Sequence, residues 1–221
     1  MNLPIEKKLV NEMQLRIARL QDSSIEALYN IDNKIVLHDG TAIWRCYSGN
    51  RFSDDLDLYA KTDDEVSLIR NDASFVLKRY GIGIEKVSAI DKSTIITVSD
   101  SDTKVKLEIG KTRKAIRPIE MAYERSNGTR ISILTLSAED LIREKINTYE
   151  SRGYSRDIYD IYHLSNFADA SKLKAEVCDF LHDITKPVDE GNLNSIVYVG
   201  VAPSFDNMVD SIRRHFCEIH K

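Results

Sequence analysis

Proline and glycine are scarce in this chain, four and nine among 221 residues, which excludes a low-complexity sequence. No window approaches the roughly 18 consecutive apolar residues of a membrane-spanning helix. The first residues, Met1 to Ile17, interleave Glu6, Lys7, Lys8 and Glu12 with their apolar positions, unlike the apolar centre of a secretion signal. Cysteine is limited to Cys46, Cys178 and Cys217. That is an odd number at wide spacing, neither a disulfide framework nor a zinc pattern, and it reads as a protein of the reducing cytoplasm with no membrane association. A basic excess is also missing. The formal net charge of -4 excludes a strongly basic protein that coats nucleic acid, while leaving room for a local basic patch that binds phosphate.

What is present is an ordinary globular balance, 42% hydrophobic and 30% charged, in a chain long enough to bury a sizeable core. Leu9, Met13, Ile17, Leu20 and Ile25 recur near a helical period and predict one or two amphipathic helices between Leu3 and Tyr29. Lys34 to His38 reads as a short buried strand, and Asp39-Gly40-Thr41 turns it directly into a helix containing Ala42, Ile43, Trp44 and Tyr47. Ser48-Gly49-Asn50 breaks that helix. Leu56 to Tyr59 reads as a second strand, Asp63 to Tyr80 as a helix, and Ile82 to Val98 and Lys104 to Ile109 as further strands. Asn127-Gly128, between Ile119–Glu124 and Ile131–Leu134, is a strong short-range hairpin cue. Ser137 then offers a side-chain oxygen to the first free amides of a new helix, with Glu139 and Asp140 in its first turn. Helical patterns follow at Ser155 to Asn166, Lys172 to Ile184 and Ser204 to Ile219, and the apolar run Ser195 to Val201 has no clear assignment. The expectation is an α+β chain, with residues 1–136 carrying a mixed sheet and residues 137–221 mostly helical.

The chemistry concentrates in Ser53-Asp54-Asp55-Leu56-Asp57. Side chains alternate along a strand, so Asp55 and Asp57 share one face while Leu56 and Leu58 point to the other. Two carboxylates so close repel unless they are protonated, paired with cations or bound to a divalent metal, and a ligand set made only of oxygen favours Mg²⁺ or Mn²⁺. Glu108, flanked by Leu107 and Ile109 on a predicted neighbouring strand, is a candidate third acid. The Asp39-Gly40-Thr41 turn places a glycine where backbone approaches a ligand closely and opens a helix whose first amides favour anions such as a triphosphate. Lys104, Lys106, Lys111, Arg113, Lys114 and Arg117 form a basic stretch suited to an RNA backbone; the competing reading is a solvated or edge-protecting strand face. The five histidines show no ligand spacing with the cysteines, so no zinc is expected.

Gly40-Thr41-Ala42, Arg51 to Asp57, and Arg156-Asp157-Ile158-Tyr159-Asp160-Ile161-Tyr162 together resemble the AbiEii/AbiGii nucleotidyltransferase toxins of type IV toxin–antitoxin systems, over about Val36 to Leu164. The resemblance implies a polymerase-β-like nucleotidyltransferase core with a helical C-terminal subdomain. It also implies transfer of a nucleotide from an NTP, in some members to the 3′ end of tRNA, and a separate antitoxin partner. Asp55 and Asp57 match the family's metal-binding pair, and Gly40 and Thr41 its phosphate-side turn. Lys145 matches a lysine that implies a triphosphate contact, and Asp157 the aspartate of the last motif. Ser53, heading the acidic motif, is grouped with Gly40, Thr41 and Lys145 on the nucleotide side, and Glu108 with Asp55 and Asp57 on the metal side. One departure stands out: the family's turn usually carries Gly-Gly or Gly-Ser, and here Asp39 precedes Gly40.

Bland alternatives exist for the downstream residues. Lys145 shares a charged helix face with Arg143 and Glu144, and Arg156 and Asp160 are spaced for a surface ion pair, leaving Asp157 to face a cleft. Two other functional readings also fit the sequence. One is a nucleotidyltransferase acting on a small molecule or a protein; the other is a catalytically weak nucleic-acid-binding protein whose phosphate turn Asp39 has spoiled.

Overall fold

The structure, a computed structural model, describes residues 3–90, 93–112 and 116–218. Two compact units emerge: Met1–Ser48 with Phe52–Leu136, and Gly49–Arg51 with Ser137–Lys221.

The first unit is built on a seven-stranded sheet. Its strands are β1 (Val36–His38), β2 (Leu56–Ala60), β3 (Gly83–Ile90), β4 (Ser93–Asp100), β5 (Thr103–Lys111), β6 (Ile119–Glu124) and β7 (Arg130–Thr135), in the spatial order β3-β4-β5-β2-β1-β7-β6. The sheet is mixed: β2 runs parallel to β5 and β1 parallel to β7, and the other neighbours are antiparallel. Alternation decides which face is covered. Leu56, Leu58 and Ala60 on β2, Val105, Leu107 and Ile109 on β5, and Ile96 and Val98 on β4 are buried. Helices α2 (Glu12–Tyr29) and α4 (Asp63–Arg79) pack on these strands. Each fully buried Leu or Ile contributes about 1.5–3 kcal/mol, so this layer fixes the strand register, and with it the face on which Asp57 stands.

Caps delimit the helices. The short α1 (Ile5–Lys8) precedes α2, whose first amides, at Met13 and Gln14, donate to the Asn11 side chain. Thr62 and Glu65 form a reciprocal capping box at the start of α4. The Asn127-Gly128 cue is met by the β6–β7 hairpin, with Gly128 at φ +87°.

The second unit is helical: α5 (Ala138–Arg152), α6 (Ser155–Leu164), α7 (Lys174–His182), α8 (Leu193–Ile196) and α9 (Phe205–Phe216). Ser137 caps α5 by accepting from the Asp140 amide, and Gly153, at φ +63°, ends it in the left-handed conformation. The unassigned run resolves into α8 followed by a single bridge between Val197 and Arg51. Ile219, the expected end of the last helix, lies outside the described residues.

The reading of the cysteines needs correcting. Cys178 on α7 and Cys217, just past α9, form a disulfide; their separation of 39 residues says nothing about distance once α7 packs on α9. Cys46 is free. Among the described residues no helix is long and apolar enough to cross a membrane.

Candidate active site

Three central strands of the first unit set acids side by side. His38 on β1 is the register partner of Asp57 on β2, and Asp57 is the partner of Glu108 on β5. Directly opposed residues point to the same side of a sheet, so the expected third acid does stand beside Asp57. Asp55 precedes β2 by one residue and, two positions from Asp57, returns to the same side. The His38 ring stacks on Tyr59 with centroids 3.7 Å apart, lining the face next to the acids.

The loop carrying Asp55 is tied down from beneath. The Thr41 hydroxyl donates to the Asp55 carbonyl at 2.5 Å. The Gln21 side-chain amide donates to the Ser53 carbonyl at 2.9 Å and to that of Asp55 at 3.5 Å. Gln21 is itself held by Arg45, whose guanidinium donates to the Gln21 side-chain oxygen at 3.4 Å and lies 4.0 Å over the Trp44 ring. Asp22 closes this buried network, pairing with Arg45 at 3.4 Å and accepting from the Tyr123 hydroxyl at 3.0 Å. Buried polar groups are costly unless satisfied, so the network holds one conformation. Gln21, Asp22 and Arg45 carry no sequence signal of this role, since a polar residue on an amphipathic helix reads as surface.

The nucleotide-side expectations change in detail. Gly40 opens α3 (Asp39–Cys46) and is buried, but the left-handed backbone, at φ +57°, belongs to Asp39. Aspartate tolerates that conformation better than most residues. The Thr41 hydroxyl is buried and donates to the Asp55 carbonyl, so Thr41 also shapes the acidic loop. Ser53 contributes its carbonyl to the Gln21 contact. The His38 side chain, at the N-cap, accepts no hydrogen bond from the first amides of α3, and the dipole at that end favours an anion.

Charge is concentrated around Asp57. Burial, followed by Asp39 and Asp55, pushes its pKa from 3.8 up to about 6, against the opposing pull of His38 and Lys106. Lys106 Nζ lies 3.5 Å from Asp55 Oδ2 and 3.4 Å from Glu108 Oε2. Among the described residues no three His, Cys, Asp or Glu side chains converge as a ready metal site. The chemistry of the set nevertheless suits a hard divalent cation: three carboxylates share one face, and an ammonium already sits between two of them.

The lysines that the basic stretch places on β5 have acidic partners. Besides Lys106, Lys104 pairs with Glu85 at 2.5 Å and Lys111 with Asp63 at 2.7 Å. Arg113 and Lys114 lie outside the described residues. Edge protection does not apply either, because β5 is interior, between β4 and β2.

Lys145 and Asp157 belong to the second unit, and neither is on a surface. Lys145 is 1% exposed and Asp157 and Asp160 are 0%, so the solvent-exposed alternative for Lys145 does not hold, and both expected site residues lie in a buried chain of charges. Arg152 grips Asp157 with two hydrogen bonds of 2.8 Å. Lys145 bridges Asp157 at 3.3 Å and Asp160 at 2.8 Å. Arg51 grips Asp160 in turn, at 2.6 and 2.5 Å. Asp160 therefore pairs with Arg51 and Lys145, and Arg156 instead lies 5.7 Å from the centre of the Tyr154 ring. Burial alone would raise the Asp160 pKa; Arg51 and then Lys145 outweigh it and hold the carboxyl below its usual range.

Known proteins share this architecture. A family model described as nucleotidyl transferase AbiEii toxin, Type IV TA system, matches residues 26–197. MenT4, a nucleotidyltransferase toxin from Mycobacterium tuberculosis H37Rv, superposes with a TM-score of 0.63 at 18% identity, covering 95% of this chain and 86% of its own. JHP933 from Helicobacter pylori gives 0.59 at 19%, covering 94% and 90%. The antibiotic-resistance factor ANT(2'')-Ia gives 0.50 at 14%, covering 74% and 90%. No curated protein sequence matches. The shared fold is the mixed α+β nucleotidyltransferase architecture.

Proposed function

Since the chain belongs to the AbiEii family of nucleotidyltransferase toxins of type IV toxin–antitoxin systems, we propose that it moves a nucleoside monophosphate from an NTP to an RNA acceptor, of which tRNA is our candidate, at the face formed by Asp55, Asp57 and Glu108. The observation that carries this reading is the register of β1, β2 and β5, which sets Asp57 and Glu108 side by side on one face of the sheet.

In this reading Asp55, Asp57 and Glu108 hold Mg²⁺ or Mn²⁺. Bound there, the cation would make the attacking hydroxyl more acidic and offset the charge of the departing pyrophosphate. The start of α3 receives the triphosphate, the positive end of its backbone dipoles favouring the anion. An RNA 3′-hydroxyl oxygen bonds to the α-phosphorus as the bond to the bridging oxygen breaks. Pyrophosphate leaves, and the hydroxyl proton passes to solvent. Thr41 and Gln21 keep Asp55 in place by gripping its carbonyl. Lys145 and Asp157 act as positioning residues that hold α5 to α6, because their burial and mutual pairing keep them from touching a substrate. A cognate antitoxin restrains the activity, and the cytoplasm, which holds both NTPs and RNA, is the compartment we assign.

Incubation with each α-labelled NTP, Mg²⁺ and total RNA tests the acceptor. Label comigrating with tRNA supports this reading, while label on a small product or on protein redirects the same chemistry to another acceptor. Asp39 favours a second reading, a binding protein with little catalysis, because it adds a negative charge beside the acids. RNA binding indifferent to Mg²⁺, without pyrophosphate release, would support that alternative.

A further inference from the structure

We propose that Lys106 is the resident counter-cation of the acidic face and that a divalent cation enters only as this ammonium is displaced, so that Lys106 sets the metal concentration the enzyme requires. The inference rests on the reading of Asp55, Asp57 and Glu108 as the metal-holding acids.

The lysines of β5 differ in how they are held. Lys104 and Lys111 each approach one outlying acid closely, Glu85 at 2.5 Å and Asp63 at 2.7 Å. Lys106 is shared between two acids of the candidate site at 3.5 and 3.4 Å, beyond the 2.7–2.9 Å of a strong charge-assisted hydrogen bond. Loose sharing of this kind neutralises charge without fixing a geometry. The lysine stands two residues before Glu108 on the same strand and therefore on the same face. Because β5 is interior, its backbone cannot carry the ammonium away. The side chain can: it is 40% exposed, and lysine is a compact charge on a flexible stem. Swinging out to solvent opens the space between Asp55 and Glu108 and leaves both carboxylates for a harder cation. A divalent ion must compete with a tethered ammonium for the same oxygens, which lowers its apparent affinity. Two partly exposed ion pairs are together worth roughly a five- to tenfold competition.

The test is Mn²⁺ binding to the purified protein without nucleotide, read by electron paramagnetic resonance, for wild type, Lys106→Met and Lys106→Arg. Methionine keeps much of the length and removes the charge; arginine keeps the charge. The expected result is about five- to tenfold tighter Mn²⁺ binding by Lys106→Met, with Lys106→Arg no tighter than wild type. A matching fall in the Mg²⁺ concentration for half-maximal transfer should accompany it. Unchanged or weaker binding by Lys106→Met overturns the inference. If Asp57→Asn abolishes Mn²⁺ binding in that case, the metal-site reading survives and only the role of Lys106 falls. If neither wild type nor Lys106→Met binds Mn²⁺, both fall together.

Discussion

Asp39, which enters α3 with a left-handed backbone, bears directly on Asp57: after burial it is the strongest influence raising that carboxyl's pKa to about 6. The residue before it, His38, is the register partner of Asp57. Asp39→Gly removes the charge and relaxes a φ of +57° that an L-residue rarely adopts. Asp57 should then ionise at lower pH. The acidic limb of a pH–rate profile for nucleotidyl transfer is expected to move downward in Asp39→Gly; an unmoved limb would show that Asp39 does not govern Asp57.

The same shift has a stability consequence of opposite benefit. A carboxyl whose pKa is raised on folding, here from 3.8 to about 6, holds its proton more tightly in the folded protein. Stability attributable to it is full below about pH 4 and is lost as pH rises through about 6. Asp57→Asn should therefore raise stability at pH 8 by about 1–2 kcal/mol after allowance for partial exposure. Its effect should vanish near pH 4. Urea denaturation at the two pH values measures both.

The buried charge chain in the second unit predicts a large effect from one substitution. Asp160→Ala leaves Arg51 and Lys145 without the carboxylate they share. Removing one member of a buried ion pair costs about 3–5 kcal/mol. Guanidinium unfolding should register that loss, whereas Arg156→Ala, at a residue outside the chain, should cost under about 0.5 kcal/mol.

Cys178 and Cys217 close a loop across α7 and α9. A crosslink of this kind typically stabilises by about 2–4 kcal/mol. Peptide mapping under non-reducing conditions should recover the linked pair, and dithiothreitol should lower Tm. The cytoplasm keeps most thiols reduced, so the fraction bonded in protein isolated under alkylation reports on the compartment as well.

Much of the fold was legible because local rules and tertiary packing agree. The Asn127-Gly128 hairpin, the Ser137 cap and the two-residue alternation around Leu56 and Leu58 are short-range signals, and each appears where expected. The acidic face was legible for the same reason, since Asp57 lies on β2 and Asp55 just before it, and Glu108 needed only a neighbouring strand. Long-range partnerships were not readable. Nothing in the spacing of Gln21 and Asp55, 34 residues apart, or of Arg51 and Asp160, 109 apart, marks them as partners. The pairing of Lys145 with Asp157 and Asp160 was not readable either, because charged residues are seldom fully buried unless paired and the pairing is visible only in three dimensions. The disulfide escaped for the same reason.

The central claim, that the face carrying Asp55 and Asp57 performs nucleotidyl transfer, is tested most directly by label transfer from α-labelled NTP to RNA, comparing wild type with Asp57→Asn. Both proteins should first be shown to be folded by circular dichroism. Asparagine preserves size and removes the charge that would hold a divalent cation, so a fall of about 10³-fold or more is expected. Transfer by Asp57→Asn at the wild-type rate would contradict the account and move the chemistry to another part of the molecule.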